Sequence, residues 1–373
     1  MNIKLLDLHK QYEKIKSEID QSISDCLNST EFINGQIVNT LSDNLSKFLD
    51  NTHVITCGNG TDALQIALMS LDLKEGDEII LPAFTYIATA EVIALLKLKA
   101  VLVDVNENDF NISIESIHKA ITSKTKCIVP VHLFGQACDM QSIMQIANEH
   151  NLYVIEDTAQ SIATDVIYSD GTKKKAGTIG NIGTLSFFPT KNLGAFGDAG
   201  AIICNDETLA KKIKMIANHG QSKKYHHELI GVNSRLDSLQ AAILNVKLKY
   251  LNEYIQKRQS IAKYYDENLS NIEQLIIPQR TNYSTHTFHQ YTLRILNNKR
   301  DALKSFLQEK GIPSMIYYPM PVHHQEAYKN WRIGPGGVDV SERLCKEVLS
   351  IPIHTELTEE EMEYIVRSIK EFF

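Results

Sequence analysis

The sequence predicts an α/β fold in which helices cover a wound sheet, followed by a smaller C-terminal α+β domain. The chain has 373 residues, more than one ordinary core holds, which suits two domains folded together. From residue 54 onward, short apolar runs alternate with helical stretches of about ten to fifteen residues. After a long helix the pattern changes to isolated strands and helices. We therefore expect a large domain at residues 1–246 and a small domain at residues 247–373.

The elements of the first domain follow from the periodicity of their apolar residues. Residues 12–49 have the spacing of an amphipathic helix, with a break at residues 30–35. Helices at residues 61–71 and 86–96 fit between apolar runs. The predicted strands are short apolar runs bounded by polar or turn residues: 54–57, 78–81, 99–103, 126–130, 152–155, 184–188 and 201–204.

The second domain begins within a long predicted helix at residues 239–269. Apolar residues recur there at Leu244, Leu248 and Leu251, with charges between them. The segments that follow are a strand at residues 290–295 and helices at residues 300–310 and 359–373. This mixture predicts a small α+β domain.

Composition excludes several classes of protein. The net charge of −7 gives the chain no general attraction for nucleic acid or anionic membranes. The six cysteines form no C-x-x-C pair and no zinc-like spacing with histidine, which favours buried thiols in a reducing compartment. Residues 1–10 alternate in charge, and no later stretch is apolar enough to span a bilayer. We therefore expect a cytoplasmic protein without a nucleic-acid or membrane partner.

The first segment with chemical content is residues 57–64 (CGNGTDAL), which follow a predicted strand and open a helix. Glycines let the backbone turn tightly, and the free N–H groups of a helix N-terminus bind phosphate. Thr61 adds a hydroxyl group. A plain helix cap by Asn59 or Thr61 explains the same residues, and the segment alone does not separate the two interpretations.

The second segment is residues 154–161 (VIEDTAQS), in which an apolar strand leads into two acids and a glutamine. The carboxyl ends of strands face the ligand crevice in doubly wound sheets. An aspartate such as Asp157 is suited there to keep a pyridinium nitrogen protonated by charge pairing. A cap of the next helix is the alternative.

The third segment places one lysine between a strand and a glycine-rich turn, at residues 186–194 (SFFPTKNLG) and 197–200 (GDAG). Lysine forms a Schiff base with pyridoxal phosphate (PLP), although a solvated surface lysine is the ordinary alternative. Asp157 precedes Lys191 by 34 residues, about one strand–loop–strand step. A phosphate site, a ring-nitrogen carboxylate and an aldehyde-binding lysine together predict a PLP site.

These residues resemble a known family, the DegT-like sugar aminotransferases of the PLP fold-type I superfamily. The resemblance covers nearly the whole chain. The family's fold implies a large domain with a mixed, mostly parallel sheet wrapped by helices. The matching blocks are residues 3–8 (IKLLDL), 60–64 (GTDAL), 82–86 (PAFTY), 130–136 (PVHLFGQ), the two segments above, 231–237 (GVNSRLD), 240–242 (QAA) and 317–321 (YYPMP).

The resemblance implies a role for each matching residue. Lys191 is expected to be the Schiff-base lysine and proton shuttle, Asp157 to pair with the pyridine nitrogen, and Gln160 to lie beside the ring hydroxyl. Asn233 matches a residue that reaches the cofactor of a neighbouring subunit, which implies a homodimer with shared sites. The remaining implied cofactor contacts are Gly60, Thr61, Asp62, Ser186 and Tyr86, the last stacking on the ring.

The implied reaction moves an amino group from L-glutamate to a keto group of a nucleotide-linked sugar, with the cofactor passing through its pyridoxamine phosphate form. The product would serve a surface polysaccharide or glycan precursor pathway. Residues 223–227 (KKYHH) resemble the branch that aminates C-3. Many members have histidine where this chain has Tyr317, and the resemblance places that histidine near the sugar in members acting on sugar uronates, so its absence here leaves the uronate question open. The implied substrate contacts are Arg235, Tyr317, Tyr318, His226 and His323.

Four alternatives accompany this interpretation. His323 and His324 are not predicted to bind metal, since no carboxylate–histidine pattern accompanies them. A sugar dehydratase of the family carries histidine at the lysine position, so Lys191 argues against that reaction. A non-catalytic PLP-binding regulator is disfavoured by the complete cofactor set. A nicotinamide dehydrogenase lacks support because the glycine turn has no third glycine at the dinucleotide spacing. The nucleotide and the sugar stay open.

Overall fold

A computed structural model describes residues 3–373. Met1 and Asn2, which begin both the predicted first domain and the segment of alternating charge at residues 1–10, lie outside the described residues. The helices are α1 Leu8–Ser29, α2 Gln36–Phe48, α3 Gly60–Ser70, α4 Ala88–Leu95, α5 Ile114–Ala120, α6 Met140–His150, α7 Glu207–Ala217, α8 Ser238–Leu269, α9 Arg300–Glu309, α10 Asp339–Glu347 and α11 Glu359–Phe372.

Most strands belong to one large sheet, and the others form small sheets around it. The strands are β1 His53–Cys57, β2 Glu78–Pro82, β3 Lys99–Val103, β4 Thr125–Ile128, β5 Tyr153–Asp157, β6 Asp165–Ile167, β7 Lys173–Lys175, β8 Ile182–Ser186, β9 Gly200–Cys204, β10 Gln221–Lys223, β11 His226–His227, β12 Leu275–Ile276, β13 Tyr291–Ile295, β14 Arg332–Ile333 and β15 Val348–Ile351.

The large sheet of the described residues has eight strands in the order β1-β9-β8-β5-β4-β2-β3-β14. β9 pairs antiparallel with both β1 and β8, and the remaining neighbours pair in parallel. The sheet is therefore mixed and mostly parallel, which confirms the predicted fold class. β2 and β9 are buried along their whole length, as strands with helices on both faces of the sheet require.

Alternating strand residues pack against helices on opposite faces of the sheet. Ile79 and Leu81 join a core with α3, α4 and α7, whereas Ile80 between them joins a core with α5 and α6. Farther along the sheet, Leu185 and Ile203 pack against α2 and α8. This period of two is what a buried strand dictates, and it produces three layers with the sheet in the middle.

The C-terminal part forms a second core around the sheet β12-β13-β15, which α9, α11 and the end of α8 cover. α8 runs unbroken through residue 247, so the predicted boundary falls inside one helix and stays a prediction. β14, from the predicted second domain, pairs in parallel with β3 of the large sheet. In residues 3–373 no helix has both the length and the apolar character needed to cross a membrane.

Candidate active site

The site lies along one edge of the large sheet, where parallel strands end. β1 ends at Cys57, β5 at Asp157 and β8 at Ser186. β8 is parallel to β5, and β1 runs in the same direction because antiparallel β9 lies between β1 and β8. Their carboxyl ends share one edge, which is where open α/β sheets hold ligands. All three chemical segments of the sequence meet there.

The phosphate loop, residues 58–62, turns from β1 into the N-terminus of α3. Asn59 caps this helix by accepting a hydrogen bond from the Asp62 N–H at 2.8 Å, which confirms the capping interpretation. The bond uses the backbone N–H of Asp62, which is one of the predicted cofactor contacts. A Cβ added to Gly60 would lie 2.7 Å from the Ser186 Cβ, so only glycine fits. The helix N-terminus, with Thr61 in its first turn, thus lies directly beside Ser186. Its dipole favours an anion there.

Asp157 is the last residue of β5 and is 5 % exposed. Its Oδ2 accepts a hydrogen bond from the Thr89 hydroxyl at 2.8 Å, and its Oδ1 accepts one from the Ala159 N–H at 3.1 Å. Thr89 lies on α4, so a helix from another crossover fixes the orientation of this carboxylate. The helix-cap alternative for Asp157 does not hold, since the residues that follow form turns instead of a helix.

The adjacent acid, Glu156, is bound entirely within the protein interior. It accepts hydrogen bonds from His132 Nε2 at 2.9 Å and from three backbone N–H groups, those of Gly177, Ile179 and Gly180. The Cys138 N–H donates to His132 Nδ1, so the ring proton sits on Nε2. Burial acts to raise the pKa of Glu156, but these hydrogen bonds outweigh it and hold the pKa below its usual value. Glu156 therefore stabilises the turn beneath the site.

Gln160 connects the large sheet to the C-terminal segment. Its Oε1 accepts a hydrogen bond from the Phe134 N–H, and its Nε2 donates to the Tyr318 hydroxyl, each at 2.9 Å. The Tyr318 ring lies 6.2 Å from the ring of Tyr86, which is 57 % exposed and thus offers a free aromatic face. Burial raises the pKa of Tyr318 well above its usual value, so its hydroxyl stays protonated.

Lys191 lies in the turn after β8, where its N–H donates to the Phe188 carbonyl at 2.8 Å. The side chain keeps some accessible surface, yet its surroundings remove enough water to lower the pKa to about 8. Desolvation lowers that pKa, and the nearby Asp157 carboxylate opposes the shift. The surface-lysine alternative does not hold. An amine with such a pKa is a competent nucleophile near neutral pH.

Two buried basic side chains, Lys247 and His289, flank the Lys191 turn. Lys247 of α8 donates to the Gly194 carbonyl at 2.7 Å and lies 4.9 Å from the Phe196 ring centre, and burial lowers its pKa to about 8. His289 is 8 % exposed, and its pKa lies well below the usual value because of burial first and then the positive charge of Lys191. The imidazole therefore stays neutral beside the amine.

The segment at residues 231–237 is attached to the phosphate loop through Ser234. The Gly58 N–H donates to the Ser234 hydroxyl at 2.9 Å, and that hydroxyl donates to Asp62 Oδ2 at 2.6 Å. Asn233 is exposed and Arg235 is partly exposed. Both therefore lie next to the loop with surface to offer a ligand or a second chain, although their roles stay predictions.

Two predicted substrate residues lie elsewhere. His226 is exposed on the two-stranded sheet β10–β11, outside the group around Lys191. His323 is 7 % exposed and its Nε2 lies 3.0 Å from Glu342 Oε1, so this ring faces α10. Tyr317 is partly buried next to Tyr318, and the substrate role of this pair stays a prediction.

Three residues of the site have no signature in the sequence: Thr89, Lys247 and His289. The predicted helix at residues 86–96 contains Thr89, but no local pattern joins it to a residue 68 positions later. Lys247 resembles any charged residue on a long helix. Only the three-dimensional fold brings these residues together.

The donor set fits pyridoxal phosphate. A glycine-lined helix N-terminus beside Ser186 suits the phosphate, and the buried Asp157 carboxylate suits a protonated ring nitrogen. The lowered pKa of Lys191 suits attack on an aldehyde. The open face of Tyr86 suits an aromatic ring.

Comparisons with known proteins identify a family and relatives that this chain resembles. The model of the DegT/DnrJ/EryC1/StrS aminotransferase family matches residues 13–370. The "Pleiotropic regulatory protein" of Geobacillus stearothermophilus is 43 % identical over 100 % of this chain and 99 % of its own. The UDP-N-acetyl-3-dehydro-alpha-D-glucosamine 3-aminotransferase of Acidithiobacillus ferrooxidans is 39 % identical over 99 % of this chain and 97 % of its own.

Two solved structures of relatives superpose on nearly the whole chain. A DegT DnrJ EryC1 StrS aminotransferase from Brucella abortus superposes with a TM-score of 0.95 at 37 % identity and covers 99 % of both chains. NtdA from Bacillus subtilis, solved with bound cofactor PMP, superposes with a TM-score of 0.88 at 31 % identity over 96 % of this chain and 82 % of its own.

Proposed function

The chain belongs to the DegT/DnrJ/EryC1/StrS aminotransferase family, and from this membership we propose which amino group it moves and where. The protein is a PLP-dependent sugar aminotransferase. The proposed donor is L-glutamate, and the proposed acceptor is the C-3 keto carbon of a UDP- or dTDP-linked sugar. The name of the Acidithiobacillus relative, a UDP-sugar 3-aminotransferase, supports amination at C-3.

The observation that carries the proposal is the position of Lys191. A lysine whose pKa is lowered to about 8 lies near the buried Asp157 carboxylate, at the sheet edge where α3 presents its N-terminus. At pH 7.5 an amine with that pKa is neutral in about a quarter of the molecules, compared with about a thousandth at the ordinary lysine pKa. This fraction supplies both a nucleophile and a base.

The residues at the sheet edge divide the work of holding the cofactor. When bound, pyridoxal phosphate supplies the electron sink that makes the carbon next to the amine acidic. The α3 N-terminus and Ser186 would hold its phosphate, and Asp157, oriented by Thr89, would hold its ring nitrogen. Gln160 keeps the Tyr318 segment against the same edge through its hydrogen bond.

Lys191 would then move the proton. Its Nζ accepts a proton in the neutral form and returns it in the ammonium form, and a pKa close to the working pH makes both steps favourable. The neutral His289 imidazole next to it adds no positive charge, so it does not lower the basicity of Lys191 further.

The substrate side of the site is proposed from the exposed residues around the phosphate loop. Arg235 and the tyrosines Tyr317 and Tyr318 would contact the sugar or its pyrophosphate, and Asn233 would reach the cofactor of a second copy in a homodimer with shared sites. The exposed Asn233 and the bond between Ser234 and the phosphate loop support this arrangement. His226 would contact the substrate only if the β10–β11 hairpin moved toward the site or if the second copy supplied this residue.

We also propose that the enzyme works in the cytoplasm, on a precursor of lipopolysaccharide or another surface glycan. All six cysteines are free, buried thiols, which suits a reducing compartment. The names of the relatives support sugar-nucleotide metabolism.

A regulatory role stands as a second candidate because one relative is named as a pleiotropic regulatory protein. The oriented carboxylate and the desolvated lysine favour catalysis, since a purely binding protein does not need an amine with a lowered pKa. The presence of Lys191 also argues against the dehydratase alternative.

The test is an absorbance titration of the purified, cofactor-loaded protein with L-glutamate, followed by UDP- and dTDP-linked 3-keto sugars. We expect a visible band that glutamate converts to the pyridoxamine form and that the correct keto sugar restores. Lys191→Ala should abolish both changes.

Lys263→Ala is the matched control, since this lysine is 78 % exposed on α8 and should leave both changes intact. A band that glutamate leaves unchanged in the wild-type protein would refute aminotransferase activity with this donor. A complete glutamate half-reaction with neither keto sugar restoring the band would refute only the proposed acceptor.

A further inference from the structure

Two consecutive histidines and a carboxylate converge beside the active-site segment. His323 and His324 close the short 3₁₀ turn Val322–His324, and Glu342 lies in the first turns of α10. Glu342 Oε1 lies 3.0 Å from His323 Nε2 and 3.3 Å from His324 Nε2. One ligand atom from each residue lies within 4.8 Å of the others.

The two separations from Glu342 Oε1, 3.0 and 3.3 Å, match the edges of a small coordination polyhedron. Zinc–nitrogen and zinc–oxygen distances of about 2.0–2.2 Å place tetrahedral ligands roughly 3.3 Å apart. We propose that His323, His324 and Glu342 bind one divalent transition-metal ion, with Zn²⁺ as the best match. Two imidazoles and one carboxylate form a donor set that zinc uses in proteins, with the fourth position left to water.

The hydrogen bonding of His323 allows this binding. Its Nε2 lies 3.0 Å from Glu342 Oε1, whereas its Nδ1 is buried and has no hydrogen-bond partner among the described residues. No partner of Nδ1 therefore fixes the tautomer of the ring, and with its proton on Nδ1 the ring presents the Nε2 lone pair to an ion.

The cluster is accessible on one side and anchored on the other. His324 is 51 % exposed and Glu342 is 37 % exposed, so an ion and its water can enter from solvent. His323 is buried, and the preceding Val322 N–H donates to the Ala83 carbonyl at 3.0 Å, close to the carboxyl end of β2. A bound ion would join this turn to α10 and hold the segment that follows Tyr318.

The sequence shows no carboxylate–histidine pattern next to His323 and His324, because Glu342 follows His324 by 18 residues and reaches it only through the fold. The expectation that the two histidines bind no metal is what the experiment below tests.

The test is calorimetric titration of the cofactor-loaded enzyme, freed of metal by chelation, with ZnCl₂. We expect one Zn²⁺ per chain and a higher melting temperature in its presence. Glu342→Gln keeps the shape of the side chain but removes its charge, and His324→Gln changes an exposed residue that does not threaten the fold. Each substitution should weaken Zn²⁺ binding by roughly 10- to 100-fold and remove the rise in melting temperature.

His227→Gln is the matched control. His226 and His227 are also consecutive and exposed, but within residues 3–373 they belong to no comparable group of ligand atoms. This variant should bind zinc like the wild type. No Zn²⁺ binding by the wild type would overturn the proposal, and so would binding that both Glu342→Gln and His324→Gln retain. Neither outcome depends on aminotransferase activity, because the readouts are heat and melting temperature.

Discussion

Replacing Thr89 by valine should loosen the cofactor while leaving the fold intact. Thr89 is 1 % exposed and donates the 2.8 Å hydrogen bond to Oδ2 of Asp157. Valine has nearly the same shape but no hydroxyl group, so this oxygen loses its side-chain donor. A hydrogen bond to a charged group contributes about 1.5–3 kcal/mol, which corresponds to a roughly 10- to 150-fold change in an equilibrium constant. Part of that loss should appear as weaker cofactor binding, because a misoriented carboxylate pairs poorly with a ring nitrogen.

The assay is the dissociation constant of pyridoxal phosphate from titration of the apoenzyme, together with the rate of the half-reaction with L-glutamate. Thr89→Ser restores the hydroxyl group and should recover most of both quantities. Thr292→Val is the control, since Thr292 is equally buried and hydrogen-bonds Ser350 in the small sheet, away from the site. Wild-type cofactor affinity and half-reaction rate in a folded Thr89→Val protein would show that Thr89 does not orient Asp157.

Three other predictions test the same site. Gly60→Ala should lower the free energy of unfolding by about 1–3 kcal/mol and weaken phosphate binding, because the added Cβ would overlap Ser186. Denaturant unfolding and cofactor titration measure the two effects. Gly336→Ala is the control that should be tolerated, since its added Cβ would have its nearest neighbour at 3.6 Å. The rate at which Lys191 of the apoenzyme captures pyridoxal phosphate should rise with pH up to about 8 and then level off, because only the neutral amine attacks; a flat profile from pH 6.5 to 9 would contradict the lowered pKa. Ser234→Ala removes both hydrogen bonds of its hydroxyl and should lower cofactor affinity by a factor of about ten, as the same titration measures; unchanged affinity would mean that the loop holds its shape alone.

Sequence patterns predicted the large domain well because its strands are short apolar runs between turn residues. The predicted strand at 99–103 coincides with β3, and the break at residues 30–35 separates α1 from α2. The strand predicted at residues 184–188 lies two residues too late, since β8 is Ile182–Ser186. The apolar pattern did not predict the start of β8 because Gly183 interrupts it, and glycine is unusual inside a strand. It is needed there because an added Cβ would lie 2.1 Å from the Gly177 carbonyl oxygen.

The short edge elements had no pattern to detect. β14 and β12 contain two residues each, which is too few for a period of two to appear. Tyr86 was placed inside a helix, but α4 begins at Ala88, so the tyrosine belongs to the turn and is free to present its ring. In the site, the residues on strand ends and glycine turns were predictable. The residues that orient them, such as Thr89, were not, because only the folded structure brings each of these next to its partner.

The two acids at the end of β5 illustrate this difference. Glu156 and Asp157 are adjacent, and consecutive residues of a strand point to opposite faces of the sheet. The sequence assigned the ring nitrogen to Asp157 and no role to Glu156. The fold separates them. Glu156 accepts hydrogen bonds from His132 and from three backbone N–H groups of residues 177–180, whereas Asp157 accepts one from Thr89 and lies near the Lys191 amine at the ligand edge. Exchanging the acids would therefore fail at both positions. The Glu156→Asp change shortens the side chain and would leave buried N–H groups unpaired, and the Asp157→Glu change lengthens it and would overfill the space beneath Thr89.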